Sequence, residues 1–205
     1  MGILNSTSRM WKHCLTRKHH KYKRTYNGLV ILNIFIASMF FGIPAVADES
    51  LEYGVKAAFL YKFGSYVEWP STAFESPNSP ITLCVLGSNN EFISTLEKVV
   101  GTENINNRSV IVRPIKTVDR NLGCHILYID NADAPYSPHI IDSLRGSNVL
   151  TVNNDGVPGI IDFVISNNRV RFNIDDEAAA QNGLTISSKL LSVALKVKKR
   201  APKGV

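Results

Sequence analysis

The stretch ITLCVLGSNNEFISTLEKVV, residues 81–100, contains a strand, a turn and a helix in immediate succession. Ile81–Leu86 is a short continuous apolar run, which is typical of a strand buried on both faces of a sheet. Gly87-Ser88-Asn89-Asn90 ends this strand, and we expect one of the two asparagines to cap a helix over Glu91–Val100. A buried strand followed at once by a helix predicts an α/β domain with a parallel sheet.

Short apolar runs alternate with helical patterns on both sides of this unit. Towards the N-terminus, apolar residues at every fourth position predict a helix over Leu51–Val67, which Trp69-Pro70 ends. Towards the C-terminus the same pattern predicts strands at Val110–Arg113, Ile126–Ile129 and Asn148–Val152, a short helical or irregular stretch near Val118–Leu122 and a helix at Ile140–Leu144. This alternation favours helices on both faces of the sheet.

The last part of the chain departs from this alternation. Ile160–Ser166 and Arg169–Ile174 are strand-like, and Asn167-Asn168 between them predicts a two-residue hairpin. A helix near Ala178 and a serine-capped helix over Ser187–Val197 follow. The sequence therefore predicts a single three-layer α/β sandwich, with a mainly parallel sheet and an antiparallel hairpin at its edge.

Residues 1–47 have the layout of a secretory signal peptide. Seven cations and no acid precede the apolar run Leu29–Ile43, and Pro44-Ala45-Val46-Ala47 offers small residues for cleavage near Ala47. The run is shorter than the roughly 20 apolar residues that span a bilayer. We therefore expect export to the periplasm and a mature domain over residues 48–205, with an uncleaved anchor as the alternative.

The charge of the chain comes mostly from this leader. The whole sequence carries 23 Lys and Arg against 17 Asp and Glu, and the leader holds seven of those cations, so the mature part is about neutral. The high isoelectric point therefore gives no reason to expect a nucleic acid partner. One basic cluster remains at the C-terminus, and we interpret it as a helix end that frays into a solvated tail: Lys196, Lys198, Lys199, Arg200 and Lys203.

Two cysteines remain once the leader, with Cys14, is removed. Cys84 and Cys124 both belong to apolar, strand-like runs. An even pair in an oxidising compartment usually forms one disulfide, which we favour here. Two buried thiols are the alternative, because the sequence does not show whether the two Cα atoms approach within about 7 Å.

The sequence lacks the residue patterns of a catalytic, metal or cofactor site. His125 lies within a strand-like run and is interpreted as a packed residue, and His139 has no His or Cys at ligand spacing. No Gly-x-Ser-x-Gly elbow is present. Gly156-Val157-Pro158-Gly159 precedes a strand, so it is interpreted as a turn and not as a phosphate-binding loop. We therefore predict a protein that is not an enzyme and that needs no metal or cofactor.

Four residues are candidates for contact with a protein partner. Trp69, next to Glu68 at the end of a helix, could anchor a partner, although a tryptophan that covers the sheet is the alternative. Arg169 and Arg171 lie on one face of a strand and could meet an acidic surface, although a solvated face is the commoner outcome.

Seven blocks of the mature chain, in this order, resemble the YfiR-type family of periplasmic proteins, which is also known as a domain of unknown function. The blocks are VKAAFLY (55–61), YVEWP (66–70), LCVLG (83–87), CHILYI (124–129), NVLTV (148–152), NRVRFNI (168–174) and GLTISSKLL (183–191).

The resemblance implies an α/β sandwich that acts by binding proteins. Its best-known members repress an inner-membrane diguanylate cyclase through the periplasmic sensor domain of that enzyme, and an outer-membrane lipoprotein sequesters them in turn. Such regulation through cyclic-di-GMP governs biofilm formation and motility. Cys84 and Cys124 match the first cysteine pair of the family, whereas a second pair is lacking here.

A small-ligand sensor or scavenger is the alternative function. Open α/β sheets offer a crevice at the carboxyl ends of their strands, which Gly87–Asn90 and Asp130–Ala134 would line. Whether the protein forms a homodimer is left open.

Overall fold

The computed structural model describes residues 46–119, 122–130, 137–154 and 159–201. Almost all of the predicted signal peptide, the second half of the predicted ligand crevice and most of the Gly156–Gly159 turn lie outside these ranges. Within them, the chain forms one mixed α/β domain with a curled, mostly parallel sheet, which confirms the predicted fold class.

Five helices and ten strands make up the described part of the chain. The helices are α1 Val46–Ser65, α2 Asn90–Val100, α3 Ser137–Ser143, α4 Asp176–Gln181 and α5 Ser188–Val193. The strands are β1 Val67–Glu68, β2 Ile81–Leu86, β3 Asn104–Ile105, β4 Arg108–Ile115, β5 Ile126–Ile129, β6 Leu150–Asn154, β7 Ile161–Ser166, β8 Arg169–Asp175, β9 Thr185–Ile186 and β10 Lys196–Lys198.

Eight strands form the main sheet in the order β10-β8-β7-β6-β5-β2-β4-β3. The strands from β7 to β4 are all parallel. β8 pairs antiparallel with β7, and β3 with β4. β1 and β9 form a separate antiparallel pair. β4 pairs with β2 on one side, and β5, the next strand along the chain, pairs with β2 on the other side. The order in which successive strands join the sheet therefore reverses at β2, while the strands stay parallel.

The β2–α2 unit forms as its sequence predicts. β2 has the predicted bounds, and the Asn89 side chain caps α2 by accepting a hydrogen bond from the Phe92 N–H at 3.0 Å. α2 buries Phe92, Ile93, Leu96 and Val100 on one face. Local signals therefore suffice for this part of the fold.

Each face of the sheet has its own core. On the first face, α1 and α2 cover alternate residues of the central strands, among them Leu83, Ile126 and Val152. On the second face, Cys84, Leu127 and neighbouring apolar residues pack beneath Ile140 and Ile141 of α3. Because alternate strand residues point to opposite faces, the two cores give the three predicted layers.

The predicted C-terminal helix is wrong in its second half. It ends at Val193, and Lys196–Lys198 form β10, which pairs parallel with β8. The hairpin is therefore one strand inside the edge and not at the edge as predicted. The pairing satisfies the backbone groups that β8 would otherwise expose, and this outweighs the local helical pattern.

The basic C-terminal cluster is not the frayed, solvated tail that the sequence suggested. Lys198 Nζ lies 3.0 Å from carboxylate oxygens of both Asp175 and Glu177. The Arg200 guanidinium donates two hydrogen bonds to Asp176, at 2.8 and 2.9 Å. These ion pairs attach the end of the described chain to α4 and the end of β8.

Several other bounds also differ from the prediction, and two of them have a clear structural reason. α1 ends at Ser65, and Val67 belongs instead to β1, where it pairs with Ile186 of β9. The strand predicted from Asn148 begins at Leu150, because Asn148 has a φ of 60° and lies in a turn. A long-range strand pair therefore shortens the predicted helix at Val67, and a turn shortens the predicted strand at Asn148.

Candidate functional site

An apolar groove lies between α1 and the β7–β8 hairpin. Leu51, Val55 and Phe59 of α1 form one wall, and Ile165 and Val170 of the hairpin form the other. The groove has a volume of about 370 Å³. A second hollow of about 400 Å³ continues from the same three α1 residues along the helix towards Ala58 and Lys62.

The groove exists because the sheet covers only part of the apolar face of α1. Further along the same helix, Leu60 and Phe63 are fully buried. By contrast, Leu51 is 66% exposed, and Ile165 opposite it is 49% exposed. Adjacent exposed apolar side chains of this size are typical of a surface that contacts another molecule.

The floor of the groove is held in place by aromatic packing. The Phe59 ring lies 5.4 Å from the Phe172 ring in an edge-to-face arrangement, and it stacks on Phe63 at 6.0 Å. Phe172 and Phe63 belong to the buried core. The floor of the groove is therefore continuous with the buried aromatic core.

Charged residues line the rim of the groove. Glu52 is already paired with Lys56, whose buried Nζ also donates a hydrogen bond to Asn154 Oδ1 at 2.6 Å. Arg169 lines the groove and Lys62 lines the second hollow, and both residues are exposed. Because the ion pair with Lys56 neutralises Glu52, the net charge of the rim is positive.

The structure separates the four predicted partner residues. Arg169 lines the groove, and Arg171 is exposed two residues further along β8. Glu68 and Trp69 follow the C-terminal end of α1, away from the groove-lining residues of its first half. Sequence reasoning identified Arg169 but not Leu51, Phe59 and Ile165, since an apolar residue that stays exposed has the same sequence pattern as a buried one.

Trp69 is half-buried in an aromatic cluster. Its indole meets the His125 ring edge-on at 6.4 Å, and the Phe74 ring stacks on His125 at 4.6 Å. The Arg108 guanidinium lies 3.7 Å from the centre of the Phe74 ring. This packing fits the alternative interpretation, in which Trp69 covers the sheet. Contact of Trp69, Glu68 and Arg171 with a partner stays a prediction.

His125 is held in its neutral form by two backbone contacts. Nδ1 accepts a hydrogen bond from the Thr82 N–H at 3.1 Å, so the ring proton lies on Nε2, which donates to the Ala73 carbonyl at 3.1 Å. Burial lowers the pKa of His125, and the nearby Arg108 charge acts in the same direction. Protonation at Nδ1 would break the contact with Thr82.

We therefore expect the protein to lose stability as the pH falls through the His125 transition. Because the folded pKa of His125 lies below its unfolded value of about 6.5, the stabilisation is complete above that pH and decreases below it. Urea unfolding at about pH 8 and about pH 5 should show a larger drop for the wild type than for His125→Phe.

Burial raises the pKa of Asp162 to about 6, so its effect on stability increases as the pH falls, opposite to that of His125. Because Asp162 is present in both proteins, the difference between them reports His125. An equal pH dependence of the two proteins would contradict this assignment.

The Cys84–Cys124 disulfide is present, with a Cα–Cα distance of 5.8 Å. It joins β2 to Cys124, two residues before β5, on the second face of the sheet. The favoured interpretation of the two cysteines is thus the one that the structure shows.

Polar side chains at the carboxyl ends of the parallel strands make hydrogen bonds: Asn89, after β2, contacts α1, and the ends of β5 and β6 contact each other. Asn89 Nδ2 donates to Tyr53 Oη at 2.9 Å, and Asn154 Nδ2 donates to Asp130 Oδ1 at 3.4 Å. In the described residues, no three His, Cys, Asp or Glu side chains come together in a way that could hold a metal ion. None of the helices there has the length and hydropathy of a membrane span.

Comparisons with known proteins give a family match and a similarity to solved structures. A family model described as DUF4154, YfiR/HmsC-like, matches residues 53–195, which include both cysteines and most of the groove. Among solved structures, an ABC domain from Streptococcus pneumonia in complex with L-Trp is similar at 14% identity and a TM-score of 0.47. The similarity covers 69% of this chain and 60% of that one, and it carries no inference about function. No curated protein matches the chain.

Proposed function

Because the chain belongs to the YfiR/HmsC-like family of periplasmic regulators, we propose that the mature protein represses an inner-membrane diguanylate cyclase by binding its periplasmic sensor domain. The family acts in cyclic-di-GMP signalling through protein partners and is not catalytic. Repression would then lower cyclic-di-GMP and biofilm formation. An outer-membrane lipoprotein that binds the same regulator would relieve the repression.

The groove is the observation that supports a protein partner most directly. The exposed side chains of Leu51 on one wall and Ile165 on the other leave a large apolar area in contact with water. An apolar side chain of the sensor domain inserted here would be surrounded on two sides and fully desolvated, as the central residues of protein interfaces are. The aromatic floor fixes the shape of the groove before binding, which lowers the entropic cost of association.

The charges at the rim suggest what surrounds that inserted side chain. Arg169 and Lys62 flank the apolar surface, whereas Glu52 is paired with Lys56. We expect Asp or Glu residues on the sensor domain opposite the two cations. Such rim charges contribute mainly to the rate and specificity of association.

Repression requires that the regulator distinguish two states of the sensor domain. It shifts the cyclase towards the inactive state only if it binds that state more tightly than the active one. A preformed groove can distinguish the two states of the sensor domain. If the inserted side chain moves slightly between these states, it fits the groove in only one of them.

The proposal includes export and cleavage of the leader near Ala47. The α1 residues that line the groove and the second hollow begin at Leu51 and Ser50, so cleavage near Ala47 leaves both complete. Mass spectrometry of the periplasmic protein would show the mature N-terminus directly, and an intact leader would favour the anchored alternative.

We predict that Ile165→Glu abolishes partner binding without unfolding the protein. The substitution places a charge in the groove, where the partner would have to desolvate it, so recovery of the partner should fall about tenfold or more. Crosslinking in the native envelope, followed by purification of the tagged regulator and quantitative mass spectrometry, measures this recovery.

Ile111→Glu is the matched control, because Ile111 is also 49% exposed but lies on β4 outside the groove. The captured protein should be a membrane protein with a GGDEF domain. Equal recovery with both variants would reject the groove as the binding site, and the absence of any such cyclase from the wild-type sample would reject the proposed partner.

A further inference from the structure

Two exposed apolar side chains lie next to β10, the outermost strand of the main sheet. Val193 ends α5 and is 55% exposed, and Leu195, just before β10, is 43% exposed. The same segment is attached to the domain, because Leu190 of α5 is buried in the core and the Leu195 N–H donates a hydrogen bond to the Phe172 carbonyl at 2.8 Å. The domain therefore holds both apolar side chains in place at its surface.

Three exposed lysines surround this apolar pair. Lys189 lies four residues before Val193 and so shares one face of α5 with it. Lys196 directly follows Leu195, and Lys199 follows the end of β10. Within the part of the chain that the structure describes, none of the three lysines forms an ion pair. Their charges are therefore available to a partner.

The acids that contact this segment are paired with its other cations. Lys198 contacts Asp175 and Glu177, and Arg200 contacts Asp176. With the three unpaired lysines, this edge of the domain carries five cations against these three acids, whereas the mature chain as a whole is about neutral. The edge is therefore positively charged, and its charge is complementary to an anionic surface.

We propose that this C-terminal edge surface binds the anionic phospholipids of the inner membrane. Its residues are Lys189, Val193, Leu195, Lys196 and Lys199. The lysine ammonium groups would contact the lipid phosphates, and the two apolar side chains would enter the boundary between headgroups and acyl chains. Apolar residues next to lysines are typical of segments that lie on a membrane surface.

A lipid surface fits these residues better than an acidic protein does. Two apolar side chains cover far less area than the roughly 800 Å² per partner of a stable protein interface. A membrane needs no matching shape, since its headgroups and acyl chains move to accommodate the side chains. It also presents many anions at once, so lysines on a short segment can all find a partner.

The contact would be weak and reversible. Each lysine close to an anionic lipid surface strengthens binding about fivefold, and this effect is screened by salt. None of the residues that line the apolar groove belongs to α5 or β10, so the groove stays available when the edge is bound. If the protein represses a membrane cyclase as proposed, the lipid contact raises its concentration near the sensor domain.

Co-sedimentation of the purified mature protein with lipid vesicles tests the proposal. Vesicles of phosphatidylcholine alone are compared with vesicles that also contain phosphatidylglycerol. At low salt we expect binding to the mixed vesicles to be at least about tenfold stronger, and at about 0.5 M salt most of this difference should disappear. Equal binding to both vesicles, or binding to neither, overturns the proposal and leaves an acidic protein as the occupant of the edge.

A pair of double variants locates the binding surface. Lys189→Gln with Lys196→Gln should weaken binding to the mixed vesicles about tenfold or more. Lys98→Gln with Lys116→Gln is the matched control, because both lysines are exposed, one on α2 and one directly after β4, and the net charge changes equally. This control should bind as the wild type does. An equal loss in both variants would show that binding follows net charge alone, which contradicts the assigned surface.

A fluorescent label tests whether the apolar pair enters the lipid. Ser192→Cys places a single free thiol next to Val193, and a polarity-sensitive dye on this thiol should shift to shorter wavelength when mixed vesicles are added. Ser109→Cys, on an exposed position of β4, is the matched control and should show no shift. The same shift at both positions, or none at Ser192, contradicts insertion of this edge.

These vesicles contain no protein, so the result is independent of the proposed repression. A failure to bind lipid leaves the groove and its partner assay unaffected. Loss of the cyclase partner from the envelope assay would likewise leave the lipid contact standing.

Discussion

Replacement of both bridging cysteines, Cys84→Ala with Cys124→Ala, is expected to lower the free energy of unfolding by about 4 kcal/mol. The disulfide closes a loop with a sequence separation of 40 residues, which restricts the unfolded chain. Among the described residues, the core that surrounds the disulfide is the smaller of the two, with seven buried residues including the two cysteines. The packing on this face of the sheet therefore depends more on the disulfide than the packing beneath α1 does.

Urea unfolding of three samples measures the effect: the oxidised wild type, the reduced wild type and the double variant. The last two should unfold together, well below the oxidised protein. If all three unfold at the same urea concentration, the bridge contributes nothing to stability and its role must lie elsewhere.

Replacement of Phe163 by alanine is expected to cost about 3–5 kcal/mol. Phe163 is fully buried on β7 at the centre of the larger core. Its ring lies between the sheet and α1, with ring centres at 5.7 Å from Phe63, 6.3 Å from Phe59 and 6.4 Å from Tyr128. Truncation would leave a cavity beneath the helix that also carries one wall of the groove.

Phe163→Leu is the matched control, since it keeps most of the volume and should cost about 1.5 kcal/mol or less. Equilibrium unfolding of the two variants and the wild type gives both values. A loss below about 1 kcal/mol for Phe163→Ala would show that α1 is not held to the sheet by this aromatic cluster.

Those parts of the fold that rest on local chemistry could be predicted from the sequence. The β2–α2 unit follows from an apolar run and the Asn89 cap. The hairpin turn follows from Asn167 and Asn168, which have φ values of 51° and 57° and so adopt the left-handed conformation that a tight hairpin requires. Each of these features is specified by a few adjacent residues.

Features that depend on distant partners could not be predicted in this way. β10 forms because β8 offers an open edge, and the Lys198 contacts with Asp175 and Glu177 add to that pairing. Val67 leaves the helical pattern because Ile186, over a hundred residues away, pairs with it. No window of local sequence contains both members of such pairs.

The candidate site was predictable only in part, for the same reason. Arg169 stands out in the sequence as a charged residue on a strand. Leu51 and Phe59 belong to a regular apolar helix face, and only the folded sheet shows that its coverage ends before Leu51.

The cyclic-di-GMP content of the native host tests the central claim most directly. It should rise in a strain that lacks this gene and return to the original level when the wild-type protein or Ile111→Glu is supplied. At equal protein level, Ile165→Glu should leave the nucleotide high. Unchanged cyclic-di-GMP in the deletion strain, or full restoration by Ile165→Glu, would contradict repression through the groove.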